Sequence, residues 1–260
     1  MGDEVEVREV SSLEEAREAG ALMDRVWNVQ RVVTGELLRA MSSHGNPVLA
    51  AYLGERMVGA QMGFLAPADD GLSVHSHVTG VLPEVQHRGV GFRLKLAQRD
   101  WCLARGIRLV TWTFDPMMAR NAYFNLRKLG GTAVRFHRDY YGPMTDAINA
   151  GERTDRLEIR WELEDPRVAA AVEGRGEEPD AGGATPLLEE AEGAPRPHSG
   201  AAGERLLVRV PSDYVGLREA DREAARAWRD AVAGALEDAL ARGYRATGFL
   251  REGAYLLERT

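Results

Sequence analysis

The chain has 260 residues, 44% of them hydrophobic, a formal net charge of −7 and one cysteine. That length and apolar share suit one large domain or two small ones, while a lone Cys102 excludes an internal disulfide and a cysteine metal site. No apolar run approaches the roughly 20 residues of a membrane span, the start Met1-Gly2-Asp3-Glu4-Val5-Glu6 has no signal-peptide core, and no basic stripe marks a nucleic-acid surface. The expectation is a soluble cytoplasmic protein without membrane, nucleic-acid or metal partners.

In chain order, residues 5–10 predict a strand. Ser11-Ser12 followed by Glu14-Glu15 is a capping-box start for a helix reaching Trp27. Thr34 caps a shorter helix over 35–41. Residues 47–53 and 57–65 predict a hairpin around Gly54-Glu55-Arg56. A turn at 66–71 leads into an alternating strand over 74–81. Leu82-Pro83-Glu84-Val85 then leads to Gln86-His87-Arg88-Gly89-Val90-Gly91, and a helix follows at once, with Val90, Leu94, Ala97, Trp101 and Ala104 on one face. Strand 107–113 stops near Pro116, a short helix over 119–128 ends at Gly130-Gly131, and strands over 132–137 and 156–163 follow. The order β-α-α-β-β-β-α-β-α-β-β predicts a mixed α+β fold with a mixed sheet rather than a strictly alternating, doubly wound one.

Residues 164–204 hold ten acids and three bases. This stretch alone is −7, so the rest of the chain is neutral. With five prolines and seven glycines between 166 and 203, it reads as a solvated linker. The expected domains are therefore 1–165, a linker over 166–203, and a β-α-β-β extension over 204–260. In that extension residues 217–242 predict one helix and 244–250 with 254–258 a closing hairpin. A piece this small is marginal alone and is expected to pack on the first domain.

The chemistry-bearing feature is the loop 86–91. The first N–H groups of a helix lack intrahelical partners, and the helix dipole adds positive charge there. That end receives anions. Gly89 and Gly91 let the backbone approach phosphates closely, and Arg88, with Arg93 and Lys95 nearby, adds charge. The dinucleotide fingerprint fails, since its third glycine position is Leu94, and the Walker loop's Gly-Lys-Ser/Thr ending is absent. Taken alone, the loop also fits an ordinary strand–turn–helix.

The strand order and the Gln86-x-x-Gly89-x-Gly91 loop together resemble the GNAT superfamily of N-acyltransferases, over roughly residues 3–163. The resemblance implies a mixed, mostly antiparallel sheet flanked by helices and splayed between its fourth and fifth strands. In such folds this loop binds the coenzyme A pyrophosphate and the pantetheine arm lies in the gap. It implies acetyl-CoA or another acyl-CoA as co-substrate, held by Val81, Gln86, His87, Arg88, Gly89, Val90, Gly91, Phe92 and Asn121, with Asn125 a rival to Asn121. The runs Ser76-His77, Gln98-Arg99, Trp112-Thr113-Phe114-Asp115-Pro116, Tyr140-Tyr141-Gly142, Asp155-Arg156-Leu157 and Trp228-Arg229 are similar to one GNAT subgroup with a C-terminal extension. Some of its members are linked to N-acylamino-acid racemases and succinylate D-amino acids. An amino acid or another small-molecule amine is the implied acceptor.

The usual general acid of many such enzymes, a tyrosine in Y-x-x-L-G, is replaced here by Leu126. Tyr141, with Tyr140, Tyr123 or water as rivals, is the expected substitute. His77 shares a strand face with His75 and Thr79 and is a candidate base or water-positioner; a hydrogen-bonded structural histidine is the competing reading. Asp115 is a candidate base or ammonium holder, against a turn residue before Pro116. A main-chain N–H near Val81 is the candidate oxyanion donor. Asp155-Arg156 reads as a salt-bridged strand entry rather than a substrate clamp, Trp112 and Trp161 as core, and Cys102 as a packed thiol. A non-catalytic acyl-CoA-binding module is the alternative function. For the extension, a cover over the pocket and a homodimer contact both remain open.

Overall fold

The computed structural model describes residues 4–69, 71–142 and 152–259; residues 1–3 of the acidic start and Asp70 of the turn lie outside them. In it the capping box forms as read: Ser12 accepts from the Glu15 N–H at 3.1 Å and the Glu15 carboxylate accepts from the Ser12 N–H at 3.2 Å. The described residues divide into two compact units, one of residues 4–112 with 152, the other of 113–142 with 153–259.

The first unit runs β1 (Val5–Glu9), α1 (Leu13–Trp27), α2 (Gly35–Ser43), β2 (Val48–Leu53), β3 (Arg56–Ala68), β4 (Gly71–Val81), a 3-10 turn (Pro83–Arg88), α3 (Val90–Leu103) and the start of β5 (Leu109–Phe114), which carries the chain into the second unit. Strands β1 to β4 pair antiparallel in sequence order, and β5 joins β4 in parallel. Helices α1 and α2 touch closely: a Cβ on Gly35 would lie 2.7 Å from Arg17 Cα, and one on Gly20 2.9 Å from Val33 O. The apolar stripe of α3 is rotated from the one read in the sequence. Val90, Leu94, Trp101 and Cys102 are buried as expected of packing residues, but Lys95 and Gln98 are buried with them while Ala104 is exposed.

The second unit holds α4 (Ala119–Ala122) continuing as a π-helical turn (Tyr123–Lys128), β6 (Thr132–His137), β7 (Arg156–Glu162), α5 (Pro166–Val172), β8 (Thr185–Ala191), β9 (Ala194–Pro197), β10 (Arg205–Arg209), α6 (Tyr214–Ala220), α7 (Arg222–Ala241), β11 (Tyr244–Leu250) and β12 (Ala254–Arg259). Its strand order is β7-β6-β11-β12-β10-β8-β9. Its described pairings are antiparallel except β10 with β8. Trp161 is fully buried and donates its indole N–H to Leu129 O at 2.7 Å, in line with its reading as core.

Two expectations need correction. The stretch 166–203 is folded, not a linker: it contributes α5, β8 and β9, and Leu187 and Leu188 are buried. Its prolines Pro195 and Pro197 sit on β9, the last strand of the sheet, where a missing N–H is tolerated. Glu192 and Gly193, at φ 53° and 81°, make the two-residue turn that joins β8 to β9. The compact units accordingly divide at 112/113 rather than at 165/166. The helix read over 217–242 is two helices, because Asp221 leaves helical geometry (φ −147°) and caps α7, accepting from the N–H groups of Glu223 and Ala224.

Candidate functional site

Gly89 is the hinge of the predicted cradle. Its φ of 74° lies in the left-handed region, which glycine adopts without the steric cost other residues meet. It closes the 3-10 turn and opens α3. Caps on α1, α2 and α7 come from Ser12, Thr34 and Asp221, whereas no side chain caps α3. Its first intrahelical bond runs from Arg93 N to Gly89 O at 3.0 Å. The main chain of Val90, Gly91 and Phe92 thus forms the positive end of the helix. The Val90 side chain is fully buried, so that residue meets a ligand only through its backbone.

Gly91 is the informative residue. A Cβ there would meet only Val81 Cγ2, at an ordinary 3.8 Å. Nothing in the fold requires glycine at this position, although in a helix it costs about 1 kcal/mol relative to alanine. The space a side chain would take adjoins the helix end and the C-terminus of β4. Gln86 folds back and donates to Val81 O at 3.3 Å, tying the turn to that strand end. His87 and Arg88 are exposed beside it. A cradle a Cβ would fill, an uncapped helix end and an adjacent guanidinium fit a diphosphate group.

Strand β4 carries the second part of the site. Met62 pairs with Val78 and Gly63 with Ser76, so His77 is an extra residue, a β-bulge. His75 and His77 share one face as expected, both against Phe64, with ring centroids 5.1 and 5.9 Å away. Nδ1 of His75 lies 3.1 Å from the Thr111 hydroxyl. Loss of hydration lowers the His77 pKa from 6.5, so its imidazole is neutral at pH 7. The described rungs between β4 and β5 are Val74–Val110 and His75–Thr111, while β4 stays paired with β3 as far as Val81.

The remaining expected residues lie in the second unit. Asp115 is held by Arg229, at 3.3 Å to Oδ1 and 2.9 Å to Oδ2, and Oδ1 also accepts from Met117 N at 2.9 Å. The carboxylate is engaged in an ion pair and in a turn. Asn121 is exposed on α4, whereas its rival Asn125 is buried. Tyr123 donates to Glu178 at 3.2 Å, which occupies it. Tyr141 is 41% exposed, edge-on to Tyr140 at 4.7 Å, with the Arg156 guanidinium 5.3 Å from its ring. Leu126 is buried, so the usual tyrosine position is core here. The ion pair at the entry of β7 joins Asp155 to Arg153 at 2.7 Å in place of the expected Asp155–Arg156 bridge; Arg156 Nη1 donates to the Asp155 main-chain oxygen. Among the described residues no His, Cys, Asp and Glu cluster could hold a metal ion, and no helix is long and apolar enough to cross a membrane.

No protein-family model matches the chain, and no curated protein matches it. Solved structures do. The ribosomal-protein-S18-alanine N-acetyltransferase of Escherichia coli is similar over 62% of this chain and 94% of its own, with 14% identity and a TM-score of 0.51. The chain has the GNAT acetyltransferase fold. Others similar to it are an acetyltransferase of the GNAT family from Streptococcus pneumoniae, with 15% identity, 60% and 98% coverage and a TM-score of 0.47, and Naa50 of Arabidopsis thaliana in complex with the bisubstrate analogue CoA-Ac-MVNAL, with 18% identity, 60% and 97% coverage and a TM-score of 0.48.

Three features of the acetyltransferase fold here carry no clear sequence signal. Lys95, Ser76, Gln61 and Gln98 form a buried polar cluster, Arg229 seizes Asp115 from 114 residues away, and His77 is a bulge residue. Only the i, i+3 spacing of Lys95 and Gln98 on an otherwise apolar helix face hinted at the first.

Proposed function

We propose that the protein is an acyl-CoA-dependent N-acyltransferase that moves an acetyl or succinyl group directly to the amine of a small molecule, an amino acid being one candidate acceptor. The observation that carries this reading is Gly91: a glycine the fold does not need, opening space at the uncapped start of α3, in a chain with the acetyltransferase fold. The main chain of Gly89, Val90, Gly91 and Phe92, with Gln86, His87 and Arg88, would hold the pyrophosphate, and Asn121 the pantetheine. The bound thioester supplies the activated acyl group.

Direct transfer needs proximity, loss of a proton from the acceptor ammonium, and donors to the developing oxyanion. His77, neutral at pH 7, serves as base or water-positioner. The main-chain N–H near Val81 serves the oxyanion. Tyr141 protonates the departing thiolate. Asp115 has no part in proton transfer in this scheme. No enzyme nucleophile is required, and Cys102 is unsuited to be one: it is fully buried and burial pushes its thiol up to about 12.

A second reading is favoured by one observation, the buried Leu126 where the usual acid stands: a GNAT-like module that binds acyl-CoA without turning it over. Thiol release from acetyl- and succinyl-CoA across a panel of amines separates the two. Turnover on at least one amine supports the enzyme. Saturable coenzyme binding with no release on any amine supports the module and overturns the enzyme.

A further inference from the structure

Lys95 is the most unusual buried group in the first unit. It projects from α3 into the interior, 5% exposed, with no carboxylate beside it among the described residues. Its Nζ donates to Ser76 Oγ at 2.8 Å and to Gln98 Oε1 at 3.4 Å, and it lies 4.0 Å from the centre of the Trp112 ring. From β3, Gln61 donates to the same two oxygens, each at 2.8 Å. Among the described residues, the ionisable neighbour acting on Lys95 is Cys102, on its own helix. Gln98 Nε2 and Gln61 Oε1 remain without partners in the cluster. A buried cation among neutral dipoles is costly, and a hydrocarbon of similar shape would be more stable there. Stability therefore does not explain the amine.

Its place in the fold does. The last described β4–β5 rung is His75–Thr111. Ser76 and Trp112 are the next residue on each strand, and Lys95 touches both. Ser76 is also the residue before the His77 bulge, and α3 begins at the uncapped coenzyme cradle. One side chain on the cradle's helix thus ties together both strands at the point where their pairing stops. We propose that Lys95 is a positioning residue for acyl transfer, which sets the parting of β4 and β5 and the seat of the His77 bulge through Ser76 and Trp112. The inference rests on the acyltransferase reading.

Burial lowers the Lys95 pKa from 10.5 to about 7. The charge next to Trp112 then changes within an accessible range, which provides a readout independent of activity. The test is Lys95→Met in the full chain, with folding confirmed by circular dichroism and a thermal melt. In the wild type, tryptophan emission titrates between pH 6 and 8.5, and K95M loses that titration. Acetyl-CoA affinity by calorimetry stays within about twofold, because the cradle is untouched. Turnover on the accepted amine falls about 10- to 100-fold at unchanged KM for acetyl-CoA, as for a misplaced reacting group. Ser76→Ala, a milder change, keeps the emission titration and lowers turnover to a lesser degree. Wild-type turnover retained in folded K95M refutes the positioning role. Absence of turnover in the wild type is a failure of the acyltransferase reading instead, and the emission arm still reports on Lys95. If K95M does not fold, S76A decides: unchanged kcat in it overturns the proposal.

Discussion

Arg229 of α7 meets Asp115, the residue after β5, through two nitrogens, at 2.9 and 3.3 Å. The pair does not stand alone. Arg229 Nε donates to the Tyr214 hydroxyl at 3.1 Å, and the Tyr255 hydroxyl donates to Pro116 O at 2.7 Å. Both tyrosines are buried, and Arg229 is 4% exposed. The C-terminal extension is thereby locked to the turn after β5 within the second unit.

Removing the guanidinium leaves the carboxylate without its counter-charge. Arg229→Met is expected to lower the unfolding free energy by roughly 3–5 kcal/mol, measured by urea denaturation. Adding Asp115→Asn to it should restore part of the loss, because the second change removes the unpaired charge. A loss below about 1 kcal/mol, the range of an exposed pair, would contradict the buried character of this one.

At Gly91 stability and binding should move in opposite directions. The fold leaves room for a Cβ, and alanine is the better helix former, so Gly91→Ala should raise stability by up to about 1 kcal/mol. Gly89→Ala differs, since φ 74° is strained for any side chain, and should cost about 1–2 kcal/mol. Thermal melts of the two variants, run in parallel, check the contrast.

Lys95 makes stability depend on pH with a definite sign. Its folded pKa, about 7, lies below its unfolded value near 10.5. Between those values the unfolded chain binds the extra proton, so stability must rise with pH. The slope from this group is up to about 1.4 kcal/mol per pH unit between pH 7 and 9. Above pH 9 Cys102 opposes it: its thiol stays protonated to about 12 in the folded state, and stability from that group falls as pH rises. Denaturation at pH 7, 8 and 9 should show the rise in wild type and its absence in Lys95→Met.

His77 is expected to shape the acid limb of turnover. Its pKa is lowered by loss of hydration, so the limb should fall below pH 6.5, with the imidazole active when neutral. His77→Gln should lower kcat and remove that limb while coenzyme affinity holds. A limb unchanged in the variant would assign the proton to another group. Stability has the same direction, as a histidine with a lowered folded pKa destabilises the fold once pH drops below 6.5.

Much of the first unit was legible because local rules settle it. Ser12 with Glu15, Thr34, and the glycine at 89 each fix a boundary through nearest neighbours, and the structure places them as read. The stretch 166–203 was not legible, because composition describes solvation rather than pairing. Leu187 and Leu188 are the apolar pair that holds β8, and the two prolines sit on a last strand where their chemistry is permitted. Asp221 was readable as a cap, yet the apolar periodicity on either side of it concealed the break. At the candidate site the cradle was local in sequence and hence visible. The Asp115–Arg229 pair and the Lys95–Ser76–Trp112 contact join residues distant in sequence, which no spacing rule reaches.

The proposed function rests on the turn from Gln86 to Gly91 and the start of α3 holding an acyl-coenzyme A. Calorimetric titration of acetyl-CoA into the wild type and into Gly91→Leu, with the fold of each verified by its melt, tests it directly. Saturable binding to the wild type and none to G91L, at a melting temperature at least as high, is the expected result. Equal affinity of the two, or no binding to the wild type, would contradict it.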